Sequence, residues 1–237
     1  MPSPSVIYVK TCHIHAPADS SEAAVESPLA CRNTRFSIGL EESARAVLQL
    51  AQESRSCLKQ ANPWTTKSSR IAYQNRWIRV REDQVIRPDG RPGIYGVVEV
   101  PPSVGIVAIN QKDHVVLVGQ WRYTLNRYLW EIPRGGSDGD PDLMAVAQRE
   151  LAEEAGVEAE YWQSLGTVDV CTGVTTDVQY LFLANGLRPA EARHDAEEQI
   201  DVAWHPFEHV VEMVMVGQIT EVCSVAAILK VARMRGI

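Results

Sequence analysis

The stretch RELAEEAGV, residues 149–157, places three glutamates within five positions, between an arginine and a glycine. On an α-helix, Glu150 and Glu154 lie four residues apart, so their side chains are neighbours on one face. Like charges at this spacing destabilise a helix by about 0.2–0.5 kcal/mol per pair unless a cation compensates. Arg149 can pair with Glu153, which leaves the other two glutamates facing each other. The stretch is therefore either a solvated acidic face or a site for a hard divalent cation, which prefers oxygen ligands.

The residues before this stretch continue the helical pattern. Apolar residues recur at helical spacing and would form a stripe that packs against a sheet; they are Leu143, Ala147, Leu151 and Ala155. Asp140 is a candidate N-cap, Pro141 suits the first helical position, and Gly156 suits the position just past the end. The sequence therefore predicts a helix over residues 141–155 that carries the glutamates.

Strand patterns dominate the chain from about residue 69. Residues 70–100 alternate apolar and polar side chains around a turn rich in proline and glycine, which indicates antiparallel strands. A mixed sheet with few helices predicts an α+β fold with α/β/α layering. Further strands are predicted at 104–110, 114–121, 128–133, 161–170, 178–184 and 200–206, with a glycine-rich loop at 134–140 and a closing helix at 224–234.

Composition limits the function of the 237-residue chain. Its formal net charge of −7 argues against binding long nucleic acid, but it allows a small phosphorylated substrate held by a few arginines and cations. The five cysteines are odd in number and never spaced as CxxC, which is typical of reduced thiols in a cytoplasmic protein. No apolar run reaches the roughly 18 residues of a membrane span, and the pattern of a secretory signal is absent. We therefore expect a cytoplasmic protein without a membrane partner.

Changes in composition divide the chain into three predicted units. Residues 1–62 are rich in Ser, Ala and Pro, and form a low-complexity extension with one helix over about 40–60. Residues 63–100 form a small antiparallel β subdomain. Residues 101–237 form the main domain, which contains the glutamates.

Residues 135–157 as a whole resemble the signature of the Nudix hydrolases, Gly-x5-Glu-x7-Arg-Glu-aliphatic-x-Glu-Glu-x-Gly-aliphatic. One position departs, because Pro141 replaces the first glutamate, which the family generally uses as a supporting residue. The resemblance implies a Nudix fold for residues 101–237, with a mixed sheet between helices. The positions that match are Gly135, Arg149, Glu150, Leu151, Glu153, Glu154, Gly156 and Val157.

The resemblance also implies a metal site. In Nudix enzymes the helix carboxylates bind magnesium or manganese at a diphosphate, and water attacks one phosphorus. By position, Glu150 and Glu154 are expected to be the principal ligands, with the backbone carbonyl of Arg134 completing the shell. Glu153 is expected to be a further ligand or a partner of one, oriented by Arg149. The expected cofactor is Mg²⁺ or Mn²⁺, which would neutralise charge on the phosphate and lower the pKa of a bound water.

Residues 118–136 resemble the ADP-ribose pyrophosphatase branch of the family. Its Gln-aromatic-Arg and Glu-aliphatic-Pro elements imply that Arg122 contacts a substrate phosphate and that Glu131 fixes the nearby ribose or metal shell. A salt bridge at the strand end is an equal alternative for Arg122. The proline that often marks ADP-ribose specificity in this branch is absent, with Cys171 and Thr172 in its place.

Residues further along the chain complete the implied site. Asp177 takes the position of an acidic residue that follows Ser/Thr in the branch. Glu198, with Glu197 next, fits a further glutamate that acts as base or ligand, and a solvated acidic loop is an equal alternative. Trp64 and Trp77 could stack on a base, although packing is the commoner fate of a lone tryptophan.

The resemblance implies an enzyme that hydrolyses a nucleoside diphosphate derivative. We expect Mg²⁺-dependent cleavage of ADP-ribose to AMP and ribose 5-phosphate, by a homodimer to which the β subdomain contributes. Another nucleotide sugar or NADH is the nearest alternative substrate. A Nudix-fold sensor that binds a nucleotide without hydrolysing it is the alternative of a different class.

Overall fold

The computed structural model describes residues 61–190 and 199–237, which contain ten strands and three α-helices. The predicted helix over 40–60 and the candidate residues Glu197 and Glu198 lie outside the described residues. The strands are β1 (Thr65–Gln74), β2 (Arg79–Ile86), β3 (Pro92–Glu99), β4 (Ser103–Ala108), β5 (His114–Arg122), β6 (Arg127–Glu131), β7 (Arg134–Gly136), β8 (Val157–Asp169), β9 (Val178–Pro189) and β10 (Asp201–Pro206). The helices are α1 (Leu143–Ala155), α2 (Phe207–Met215) and α3 (Val222–Arg235).

The first three strands form an antiparallel sheet in the order β1-β2-β3, as the alternating pattern of residues 70–100 predicts. The turn between β2 and β3 is closed by Arg87 N, which donates to Arg91 O, while Gly90 adopts a φ of +80° that favours glycine. Every residue of β1 is exposed to solvent. Among the described residues, β1 pairs only with β2, so its outer edge is open.

The other strands form two sheets around the main core. One sheet has the order β10-β5-β6 and is antiparallel. The other has the order β7-β4-β9-β8, in which β4 and β9 run parallel. The chain between β4 and β9 includes α1, so the helix that carries the glutamates returns across the face of these sheets. The predicted mixed arrangement of strands is confirmed.

Strand β4 is buried on both faces, which produces the layered architecture. Val104 and Ile106 pack with α1 in one core, whereas Val107 packs with α2 and α3 in the other. The alternation follows from the period of two along a strand. Each fully buried aliphatic side chain contributes about 1.5–3 kcal/mol relative to an exposed one. The α+β fold with α/β/α layering is confirmed.

Helix α1 begins two residues later than the sequence predicts. Its N-cap is Asp142 instead of Asp140, since Asp142 Oδ1 accepts from the second and third N–H groups of the helix, both at 3.1 Å. Asp140 Oδ1 accepts from Asp142 N at 2.9 Å and stabilises the turn, so Pro141 lies before the helix. Gly156 ends the helix as predicted, with a φ of +65°.

Two further elements correct the sequence prediction. The predicted glycine-rich loop begins with β7, because residues 134–136 pair with β4. Helix α2 was not predicted, and the closing helix α3 begins at Val222, two residues earlier than expected. None of the helices within residues 61–190 and 199–237 combines the length and the apolar character that crossing a membrane requires.

Candidate active site

Strand β7 brings the backbone against the carboxylates of α1. Arg134 N donates a hydrogen bond to Glu154 Oε2 at 2.9 Å. A Cβ added to Gly135 would lie 2.1 Å from the carboxyl carbon of Glu150, well inside the 3.4 Å at which ordinary contact begins. Glycine is therefore required here by the close approach of backbone and side chain. The glycine and the glutamates of the motif thus meet in space.

Arg149 lies over the same carboxylates. Its guanidinium contacts Glu153 Oε2 at 2.8 Å, as predicted, and it also contacts Glu150 Oε1 at 2.8 Å and the carbonyl of Gly136 at 3.4 Å. Burial opposes the charge of Arg149, but its attraction to Glu150 and Glu153 raises its pKa above the usual value. The predicted pair with Glu153 is therefore present, but Arg149 also pairs with Glu150, which the sequence analysis did not predict.

The donor set around α1 suits a hard divalent cation. Glu150 and Glu154 are only 9% and 5% exposed. The carboxylate of Glu154 lies against the backbone N–H of Arg134, and that of Glu150 lies against Gly135. Within the part of the chain that the structure describes, no three His, Cys, Asp or Glu side chains gather as a metal-binding group. Glu153 is the most exposed of the three glutamates, so the buried Glu150 and Glu154, with the carbonyl of Arg134, are the groups that would hold the ion. Substrate and water oxygens would supply the remaining ligands, as Mg²⁺ sites commonly allow.

A cleft of about 270 Å³ opens next to this donor set, lined by Arg122, Glu131, Arg134 and Glu221. Arg122 Nε donates to Glu131 Oε1 at 3.0 Å, and a second contact joins Nη2 to Oε2, so the pair is bidentate. Glu131 is fully buried. Burial opposes the charge of Arg122, but the bond to Glu131 and the nearby Glu154 and Glu221 raise its pKa. Arg122 therefore forms the salt bridge at the strand end and also lines the cleft.

Glu221 belongs to this cleft, although the sequence analysis did not identify it. Its Oε1 lies 3.1 Å from Arg134 Nη1, and its side chain caps the N-terminus of α3. Burial opposes the charge of Glu221, but Arg134 and the hydrogen bonds from Cys223 and Ser224 lower its pKa. An acidic residue before a helix indicates a cap. The sequence holds no signal that this cap also reaches Arg134.

Gln179 on β9 is a second member that sequence reasoning missed. It is fully buried, and with its amide oxygen toward Arg134 it accepts from Nε at 3.3 Å and from Nη2 at 3.2 Å. Ser103 Oγ lies 3.2 Å from the same oxygen and 3.2 Å from Asp177 Oδ1. Asp177 is thus connected to the cleft through Ser103 and Gln179.

The two tryptophans lie on the N-terminal sheet. Trp64 makes an edge contact with Tyr95, with ring centroids 5.3 Å apart. Trp77 is exposed, and the guanidinium of Arg76 lies 4.4 Å above its ring. Trp77 lines a separate cleft of about 320 Å³ together with Glu99. The single chain does not bring either tryptophan to the cleft beside α1.

The loop between β8 and β9 contains Cys171 and Thr172, which stand where the resemblance expects a proline. Cys171 adopts a φ of +52°, whereas the proline ring fixes φ near −65°. The loop contacts the N-terminal sheet, where Val98 N donates to Val174 O and Thr176 N donates to Val98 O. Proline at residue 171 is therefore incompatible with the way this loop meets the sheet.

Family models match most of the described chain. Residues 64–98 match the nucleoside diphosphate sugar hydrolase N-terminal domain, and residues 99–220 match the NUDIX domain. The ADP-ribose pyrophosphatase of Mycobacterium tuberculosis is 34% identical over 171 residues, which cover 70% of this chain and 82% of that protein. The chain therefore belongs to the Nudix family and is a pyrophosphohydrolase.

Other relatives indicate how the family varies around this chain. The ADP-ribose pyrophosphatase of Bacillus subtilis is 25% identical over 53% of this chain and 68% of its own length. The methanol dehydrogenase activator of Bacillus methanolicus is 31% identical over 58% of this chain and 75% of its own length. The crystal structure of an ADP compounds hydrolase superposes with a TM-score of 0.66 at 20% identity, covering 75% of this chain and 96% of that chain. This last similarity establishes the fold.

Proposed function

We propose that the protein hydrolyses the pyrophosphate bond of a nucleoside diphosphate derivative, and that its substrate is ADP-ribose, giving AMP and ribose 5-phosphate. The observation that carries the proposal is the pair of buried carboxylates, Glu150 and Glu154, against the backbone of Arg134 and Gly135. The similarity to two ADP-ribose pyrophosphatases supports the choice of substrate.

Glu150, Glu154 and the carbonyl of Arg134 would hold Mg²⁺ or Mn²⁺. When bound, the ion neutralises charge on the diphosphate and makes hydroxide available near neutral pH. Arg149 orients Glu150 and Glu153 by pairing with both, so the carboxylates are held before substrate binds. Glu198 is proposed as the base or as a further ligand.

Arg122 would bind a phosphate of the substrate at the cleft. Its planar donor fork matches phosphate oxygens, and the buried Glu131 holds the fork through a bidentate pair. Asp177 would support this wall of the cleft through Ser103. Trp64 and Trp77 do not reach the cleft within the single chain, so either would stack on a base only in the homodimer proposed below.

A product assay tests the function and its alternatives. The full chain is incubated with ADP-ribose, other nucleotide sugars and NADH, with and without Mg²⁺, and the products are separated by chromatography. Metal-dependent release of AMP and ribose 5-phosphate from ADP-ribose supports the proposal. Faster cleavage of another compound would replace the substrate, and nucleotide binding without turnover would indicate a sensor.

The variant Glu154→Gln tests the role of the carboxylate. It removes the charge while keeping the acceptor for Arg134 N, so turnover should be lost and the fold retained. Glu158→Gln is the matched control, because Glu158 forms an exposed pair with Arg188 at 2.8 Å. Turnover is measured under saturating Mg²⁺ and the fold by circular dichroism. Hydrolysis by Glu154→Gln at the wild-type rate would refute the metal role.

We also propose that the protein works as a homodimer in the cytoplasm. Within residues 61–190 and 199–237 no strand pairs with the outer edge of β1, and its sheet exposes the apolar side chains Ile71, Tyr73 and Ile94. Covering such an edge and face is a common reason for association. Sedimentation of the full chain tests this, and a monomer at micromolar concentration would contradict it.

A further inference from the structure

Arg134 is held at both its backbone and its side chain. Its backbone N–H donates to Glu154 at 2.9 Å, so any movement of this residue also moves the hydrogen bond to that carboxylate. Its guanidinium lies 3.1 Å from Glu221 and donates to the buried amide oxygen of Gln179 at 3.2–3.3 Å. Arg134 therefore connects helix α1 to the start of helix α3.

Glu221 is itself a fixed group. Its carboxylate accepts from Cys223 N at 3.0 Å, from Ser224 N at 2.7 Å and from Ser224 Oγ at 2.7 Å. Ser224 Oγ in turn accepts from Ile132 N at 3.1 Å, two residues before Arg134. The N-terminus of α3 thus contacts residues 132–134 twice. A carboxylate with this many partners cannot shift without breaking the cap.

We propose that Glu221 is a positioning residue for the metal site, acting through Arg134 on the carboxylate of Glu154 and on the Arg134 carbonyl. The inference rests on the proposed metal role of those two groups. Partners that orient metal ligands typically change metal affinity or activity by about 10–100-fold when they are removed. Glu221 reaches the ligands through one intervening residue, so its effect belongs near the lower end of that range.

Metal binding without substrate gives the most direct readout. The variant Glu221→Gln keeps the length of the side chain and one of its two oxygens, which can still accept from Ser224 N and Oγ. It removes the negative charge and the second oxygen, which faces Arg134 and Cys223 N. Titration calorimetry with Mn²⁺ should give a dissociation constant about tenfold higher than that of the wild type. The Mg²⁺ concentration for half-maximal turnover should rise by a similar factor. Glu158→Gln should leave both quantities unchanged.

A double-mutant cycle separates positioning from mere stabilisation of α3. In an Arg134→Met background, Glu221→Gln should have no further effect on Mn²⁺ affinity, because the side chain through which it acts is gone. An equal effect in both backgrounds would overturn the proposal. Glu221→Asp shortens the side chain but remains a good N-cap, so it should also weaken Mn²⁺ binding while keeping the melting temperature.

The result for the wild type distinguishes this inference from the proposed function. Wild-type binding of Mn²⁺ together with unchanged binding by Glu221→Gln and Glu221→Asp overturns the positioning role alone. No Mn²⁺ binding by the wild type, with or without ADP-ribose, overturns the metal site and the inference with it. Mn²⁺ binding that is weaker in the two Glu221 variants than in the wild type and Glu158→Gln supports the metal site and the positioning role of Glu221.

Discussion

Replacing Gly135 by alanine tests the contact on which the site geometry depends. The new Cβ would lie 2.1 Å from the carboxyl carbon of Glu150 and 2.2–2.3 Å from its oxygens. Ordinary contact begins at 3.4 Å, so the separation must grow by 3.4 − 2.1 = 1.3 Å. The carboxylate must withdraw or β7 must leave β4. A misplacement of about 1 Å can reduce turnover by ~100-fold.

The assay compares turnover and Mn²⁺ affinity of Gly135→Ala with those of Gly136→Ala. Gly136 is the neighbouring residue, and its added Cβ would meet only Asp138 at an ordinary 3.9 Å. We expect Gly135→Ala to lose turnover about 100-fold and Mn²⁺ affinity about tenfold. Gly136→Ala should stay within threefold of the wild type. Equal behaviour of the two variants would refute the argument that Gly135 is needed for the approach of Glu150.

Two further predictions concern the cleft and the sheet beside it. Arg122→Lys loses the bidentate pair with Glu131, so KM for ADP-ribose should rise about tenfold. An unchanged KM would mean that Arg122 forms the salt bridge with Glu131 but does not bind the substrate phosphate. Burial and the 2.6 Å hydrogen bond to Asp201 raise the pKa of Tyr128 from 10.0 to about 12. The folded state then retains a proton that the unfolded state loses, so this part of the stability is present below pH 10 and is lost as the pH rises toward 12. Urea unfolding at pH 9–11.5 should therefore be less pH-dependent for Tyr128→Phe, and equal slopes would contradict the assignment.

Helix α1 could be predicted because its sequence carries several local signals of a helix. The apolar stripe and the glutamates both have helical spacing, and Gly156 marks the end. The structure places Leu151 and Ala147 of the stripe in the core. The start was mispredicted because Asp140 and Asp142 are both good caps. The choice between them depends on the turn before the helix, which Asp140 stabilises. Since both residues are aspartates, residue type alone does not show which of the two caps the helix.

Repulsion between Glu150 and Glu154 suggests a cation in the sequence, but in the structure Arg149 contacts Glu150 as well as Glu153. The stronger physical reason is the approach of the Arg134 and Gly135 backbone to the carboxylates. That approach depends on the pairing of β7 with β4. A strand of three residues is too short to show a pattern in the sequence, so this long-range contact could not be predicted.

Glu221 and Gln179 could not be predicted for the same reason. Each is ordinary in its local context, as a helix cap and as a residue in a buried strand. Their importance arises only when the fold brings them to the guanidinium of Arg134. Local patterns identify elements, whereas the partners of a buried charge are set by topology.

Anomalous diffraction tests the central claim most directly. Crystals of the full chain would be grown with Mn²⁺ and ADP-ribose, and data collected at the manganese absorption edge. We expect an anomalous peak within about 2.0–2.4 Å of the carboxylate oxygens of Glu150 and Glu154 and of the Arg134 carbonyl oxygen. A nucleotide in the cleft with no peak at these three groups would contradict it.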